Sequence, residues 1–193
     1  MKKWWQNVNR GILLLLILII AVVSYLVSDS IHNSKERKAI KEIATQYVID
    51  SSPLYITPSD FDFFSWNSID SDTLLPEIHS QAGSLSHYFV DNELVRNQAF
   101  DQSFDFFRYY SSLKRRPEKC TRVPESVEIL ELYNGSASVV VRSTTKIDLL
   151  EEDGTIGYEE LSTQDDLQFL YTDGEWKLVQ TKSNLNLASS YEY

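Results

Sequence analysis

Three dipeptides punctuate the second half of this chain: Asn134-Gly135, Asp153-Gly154 and Asp173-Gly174. Each joins a residue that tolerates positive φ to a glycine, the chemistry of tight hairpin turns. Around them lie four runs rich in Val, Ile, Leu, Thr and Tyr, over residues 127–133, 136–150, 158–171 and 175–183. Links this short join only antiparallel neighbours, so the spacing predicts a four-stranded antiparallel meander with two long central strands. In the last run Trp176, Leu178 and Gln180 share one face and Lys177, Val179 and Thr181 the other. Both faces are therefore partly apolar, as for a strand touched from both sides.

The first half has helical periods. Ser34 is placed to cap a helix in which Ile40, Ile43, Ala44, Tyr47 and Val48 form one stripe while Lys35, Arg37, Lys38 and Lys41 face out. Pro53 stops it. Its upstream end either continues from the apolar run before it or breaks at residues 29–33. Thr57-Pro58-Ser59-Asp60 resembles a helix start, opening a short helix through Phe61, Phe63, Phe64 and Trp66. Residues 70–72 read as loop, and residues 74–90 carry mixed signals weakened by Gly83. Leu94, Val95, Ala99, Phe104, Phe107 and Tyr110 then mark a helix over 92–113, ended before Pro117.

Residues 11–27 contain no charge and are mostly Leu, Ile and Val. At ~1.5 Å per residue they span about 25 Å, close to a bilayer core of ~30 Å. They read as an uncleaved transmembrane helix rather than a signal peptide: the run exceeds the usual h-region and Ala21-Val22-Val23-Ser24-Tyr25 offers no A-x-A site. Trp4, Trp5 and Tyr25 suit the interfaces. Lys2, Lys3 and Arg10 lie nearer the run than Lys35, Arg37, Lys38 and Lys41 do, which favours a cytoplasmic N-terminus and an extracytoplasmic body. The expected order is a cytoplasmic tail 1–10, a membrane helix 11–27, a linker 28–33, one domain over 34–186 and a tail 187–193.

Beyond residue 27 stand 15 of the 18 basic residues and all 28 acids, a formal charge of −13. Such a body repels phosphate, which argues against nucleic-acid binding. Lys114-Arg115-Arg116 with Lys119 reads as a solvated loop flanking Pro117. Cys120 is the single cysteine, so no internal disulfide forms; a buried thiol and a bacterial source fit this usage.

No motif for a cofactor, phosphate, metal or nucleophile appears, so none is expected. His79 and His87, eight residues apart, stand too far apart on one helix to share an ion, and His32 beside the apolar run reads as solvated. Asn134-Gly135-Ser136 has the form of a glycosylation acceptor, but the turn explains the same residues.

The pattern Tyr171-Thr172-Asp173-Gly174-Glu175-Trp176-Lys177-Leu178 at a C-terminal hairpin, after short helices and a meander, resembles the closing strands of nuclear-transport-factor-2-like domains. The resemblance covers residues 34–186 and extends to cystatin-like folds. With a membrane anchor, the chain is also similar to the extracytoplasmic assembly subunits of type IV secretion and conjugation machines. It implies an α+β domain, short helices packed on a curved four-stranded antiparallel sheet, with a pocket or interaction face between them. In enzymes of this superfamily an acid or histidine works inside the cone; the positions to consider here are His79, His87, Asp101, Asp105, Asp165 and Asp166.

The expected function is a non-enzymatic binding or assembly component that presents an acidic domain to a basic protein partner, with the bilayer contacted through residues 11–27. The expected contact residues are Phe61, Phe63, Phe64 and Trp66 at a helix edge and Glu151, Glu152, Glu159 and Glu160 on the sheet. An immunity protein neutralising a secreted toxin, or a small-molecule pocket enzyme, are the alternatives. Trp176 is expected to anchor the core between sheet and helices.

Overall fold

The structure, a computed structural model, describes residues 10–58, 63–64 and 71–185, without the side chains of 10–14, 25–32, 71–74 and 185. Contacts divide the chain into two units, Met1–Ala39 and Ile40–Tyr193. Helix α1 spans Arg10–Asp50 without a break. Residues 29–33 are therefore helical, and Ser34 lies inside the helix rather than capping one. Within the first unit Leu15–Ile20, Val22 and Val23 are each 50–62% exposed. Among the described residues, no helix is long and apolar enough to cross a membrane.

In the second unit, Ile40, Ala44, Tyr47 and Val48 of α1 are buried, the stripe predicted from spacing. A 3-10 turn over Ser52–Tyr55 follows, with proline in its first positions. Helix α2 spans Ser71–Gly83, so residues 71 and 72 are helical, not loop, and Gly83 is its last residue. Helix α3, Asn92–Ser112, starts at Asp91, whose carboxylate accepts the Glu93 N–H. It buries Val95, Ala99, Ser103, Phe106, Phe107 and Tyr110.

The strands are β1 (Arg115–Tyr133), β2 (Ser136–Glu151), β3 (Ile156–Thr172) and β4 (Glu175–Leu185). They pair antiparallel in the order β1-β2-β3-β4, an α+β meander as predicted. Asn134 and Gly135 have φ of 49° and 75°, and Asp173 and Gly174 of 53° and 86°, the doubly left-handed two-residue turns that match strand twist. The β2–β3 link differs. Only Gly154 is left-handed there, and Glu151 N–H bonds Thr155 O across a longer loop.

Strand β1 begins twelve residues before the predicted 127. Arg115 and Arg116 are thus strand residues and half-buried, correcting the solvated-loop reading. The physical reason is that β1 is an edge strand, where Pro117 and Pro124 are tolerated, and its three register shifts against β2 erase the period-two pattern. A bulge in β4 opposite Gln168/Phe169 likewise corrects its face assignment. Trp176 and Leu178 point inward, and after the shift Thr181 is buried while Gln180 is exposed. Trp176 is buried in the core, with the exposed Tyr171 beside it, ring centroids 5.3 Å apart.

Candidate functional site

One face of the sheet carries the helices, and its middle is polar. Arg122 on β1, Ser143 and Thr145 on β2, Thr163 and Asp165 on β3, and Thr181 on β4 are all buried. Arg122 and Asp165 are 2% and 0% exposed. Arg122 donates from Nη2 to Asp165 Oδ2 at 2.5 Å and from Nη1 to Ser51 Oγ at 2.8 Å. Its guanidinium also lies 5.2 Å from the Tyr55 ring centroid. Ser183 Oγ donates to the other oxygen of Asp165, and the Arg122 backbone N–H reaches Ser52 Oγ at 3.2 Å. The network thus ties the turn after α1 to β1, β3 and β4.

Its electrostatics follow from this packing. Burial alone would lower the Arg122 pKa, but Tyr55, the Asp165 charge and the Asp165 hydrogen bond raise it. Arg122 stays a cation, and Asp165 is its counter-ion. Burial pushes the phenols of Tyr47 and Tyr55 up and the neighbouring Cys120 thiol up to about 12. A thiol held this way is a poor nucleophile. Thr145 and Thr163 hydroxyls bond each other at 2.7 Å.

A second cluster sits toward the β2–β3 loop. Arg115 Nε bonds Glu151 Oε1 at 2.8 Å and its Nη1 bonds Glu159 Oε2 at 3.0 Å. Gly157 makes room for this clamp: a Cβ there would stand 2.9 Å from Glu151 Oε1 and 3.0 Å from Arg115 Nη2. Burial and then the Glu159 charge raise the Tyr110 phenol.

The four acids expected to act together are therefore divided, two of them sharing Arg115. Glu151 and Glu159 close on Arg115, Glu152 is exposed in the loop, and Glu160 takes a hydrogen bond from Tyr158 at 2.8 Å on the opposite face. That face is cross-paired, with Arg142–Glu128 at 3.5 Å and Lys146–Glu160 at 3.9 Å, and also carries the exposed Ile156, Tyr158 and Leu170. Of the aromatic set, Phe63 is buried against Phe107 at 6.4 Å and Phe64 is half-buried; Phe61 and Trp66 lie outside the described residues.

Of the acids and histidines that the resemblance brought into consideration, Asp165 alone lies deep in the interior. Asp101 and Asp105 are exposed on α3, and Asp166 accepts from Gln164 at 2.9 Å. His87 is exposed, with Nδ1 2.9 Å from Ser84 O; His79 is half-buried, and the His32 side chain lies outside the described residues. Arg122 escaped the sequence reading. The signal was its inward parity with Cys120, visible only once β1 is extended past Pro124.

Between α3 and β4 runs an open groove of about 740 Å³, walled by Leu94, Gln98, Asp101, Gln102, Asp105 and Phe106 on the helix and by residues 179–184 on the strand. Gln98 Oε1 accepts the Thr181 N–H at 2.7 Å and its hydroxyl at 3.0 Å, and Gln102 Nε2 donates to the same hydroxyl at 2.8 Å.

No protein-family model matches the chain, and no curated protein matches it in sequence. Among solved structures, a periplasmic fragment of TraM is 13% identical over 77% of this chain and 97% of that one, with a TM-score of 0.44. An NTF2-like protein with a cystatin-like fold from Novosphingobium aromaticivorans is 13% identical over 86% and 96%, at 0.46. CagV of Helicobacter pylori, a VirB8 homolog of T4SS, is 6% identical over 77% and 98%, at 0.43.

Proposed function

We propose that the chain is a single-pass membrane protein, N-terminus in the cytoplasm, whose α+β domain stands outside as a non-enzymatic binding or assembly component for a basic protein partner, in the setting of a conjugation or secretion machine. The observation that carries the non-enzymatic reading is the state of Asp165. It is the one candidate acid inside the sheet–helix interior, and both of its oxygens are engaged, by Arg122 and Ser183. A general base needs a carboxylate oxygen open to the substrate, and both oxygens of Asp165 are already taken by protein donors.

The anchor reading rests on the uncharged, apolar run of residues 11–27. Eight large aliphatic side chains between Leu15 and Val23 are exposed on all sides of one helix, apolar area that water penalises and lipid tails accept. The formal −13 beyond residue 27 supports a basic partner through charge complementarity.

The test is in-cell cross-linking of the full chain, followed by protease shaving of intact cells and a carbonate wash. The expected result is a membrane-retained chain whose domain is cut from outside and is cross-linked to a basic protein, with less product at high salt. A chain released by carbonate, or association with an acidic protein that salt does not weaken, overturns the proposal.

A further inference from the structure

Strand β4 is the last in the sheet order, so one side of it is an edge, covered by the backbone of residues 89–90 at its start and by a side chain further along. Near its start Val90 N–H bonds Leu178 O at 3.1 Å, and Phe89 forms a parallel bridge with Leu178. Further along, the Gln98 carboxamide accepts from Thr181 N–H at 2.7 Å and donates to Val179 O at 3.4 Å, the acceptor and donor that a neighbouring strand would supply. Beyond Thr181, among the described residues, no backbone bond from outside the sheet reaches Ser183. The groove beside this edge follows six strand residues, about 17 Å at ~3.4 Å per residue.

From this we infer that the α3–β4 groove is a strand-addition site, taking an extended segment of a partner protein that carries two basic residues two positions apart and displaces Gln98 from the edge. Its far wall sets the charge. Asp101 and Asp105 are exposed there and line the groove; four residues apart on a helix, they rise ~6 Å along its axis. Alternate side chains of an extended strand repeat every ~6.8 Å, so a Lys-x-Lys segment lying on β4 meets both carboxylates. Lys182 lines the groove from the strand side, leaving it one net negative charge, and Arg108 competes only weakly, at 3.9 Å from Asp105 with both side chains mostly exposed. Main-chain bonds give such a site its affinity and alternate side chains its specificity. A second copy of this chain fits less well, because its own β4 carries Lys177 and Lys182 five residues apart and its α3 brings the same two acids into the channel.

The inference rests on the binding role proposed above and places the partner at this groove rather than on the outer sheet face. The test uses the full chain in lipid nanodiscs and a fluorescent heptapeptide, Thr-Lys-Thr-Lys-Thr-Lys-Thr, read by anisotropy. The expected result is saturable binding that Gln98→Ala tightens about tenfold by freeing the edge. Asp101→Lys with Asp105→Lys weakens it at least tenfold, with unchanged circular dichroism, and N-methylation of alternate peptide nitrogens abolishes it. Equal binding of the N-methylated peptide means adhesion to acidic surface only and overturns the inference, as does a Gln98→Ala chain that dimerises in light scattering without peptide. If the cross-linked partner of the previous section is retained by the Asp101→Lys, Asp105→Lys chain, the groove is wrong and the assembly role stands.

Discussion

Arg122 and Asp165 are buried charges whose value lies in their pairing. Removing two such ions together in favour of apolar groups of similar volume is often neutral, whereas removing one leaves the other unpaired at about 3–5 kcal/mol. Arg122→Met and Asp165→Leu alone are therefore expected to lower unfolding free energy by about that much, and the double variant to recover most of the loss; urea unfolding of the three variants checks this. Additive losses would mean that the pair is not coupled. Gly157 acts at the same scale. An added methyl meets flexible side-chain ends, so Gly157→Ala is expected to cost only about 1 kcal/mol and to loosen Arg115 from Glu151 and Glu159, seen as loss of salt sensitivity in the urea midpoint. In the sequence Asp165 was one of six acids and histidines near apolar residues, and no spacing set it apart. Its partner was not readable at all, because a lone Arg between Thr121 and Val123 has meaning only in a strand whose register is known.

At the scale of elements, the turns fixed the meander and the edges hid the rest. Asn134-Gly135 and Asp173-Gly174 specify their hairpins locally, so strands β2, β3 and β4 were legible within a few residues. The N-terminal part of β1 was not, since its prolines and register shifts are edge-strand features that read as loop. Strand β4 gave a two-faced pattern for a similar reason: a bulge, invisible in sequence, moves Thr181 inward. The left-handed turn positions remain testable one at a time. Gly174→Ala, at φ 86°, is expected to destabilise by about 1 kcal/mol or more, while Asp173→Gly is expected to be neutral within about 0.5 kcal/mol. Thermal melts of the two variants measure the difference; equal losses would show that side-chain contacts of the turn matter more than its backbone.

At the scale of the domain, burial of phenols makes the fold sensitive to base. Tyr47 on α1, Tyr55 in the turn after it, Tyr88 in the turn before α3 and Tyr110 on α3 all have pKa values raised chiefly by burial, and Cys120 on β1 rises from 9.0 to about 12. Unfolding releases these groups to ionise near 9 to 10, where the folded state still holds their protons. Their stabilising contribution is therefore complete below about pH 9 and is lost as pH climbs through the raised folded values. Eleven Tyr, nine Phe and four Trp are ample for a packed core, but which tyrosines lie in it depends on how turns and helices close over the sheet, a long-range matter that local periodicity does not carry. The expected outcome is a urea midpoint that these five groups leave level from pH 7 to 9 and that falls steadily toward pH 11. Tyrosinate absorbance near 295 nm should rise first from exposed rings such as Tyr133 and Tyr171, and a second rise should coincide with loss of circular dichroism. If all the tyrosines titrate together while the dichroism stays intact, the phenols are reaching water in the folded state, and the closed interior described for Tyr47, Tyr55 and Tyr110 is wrong.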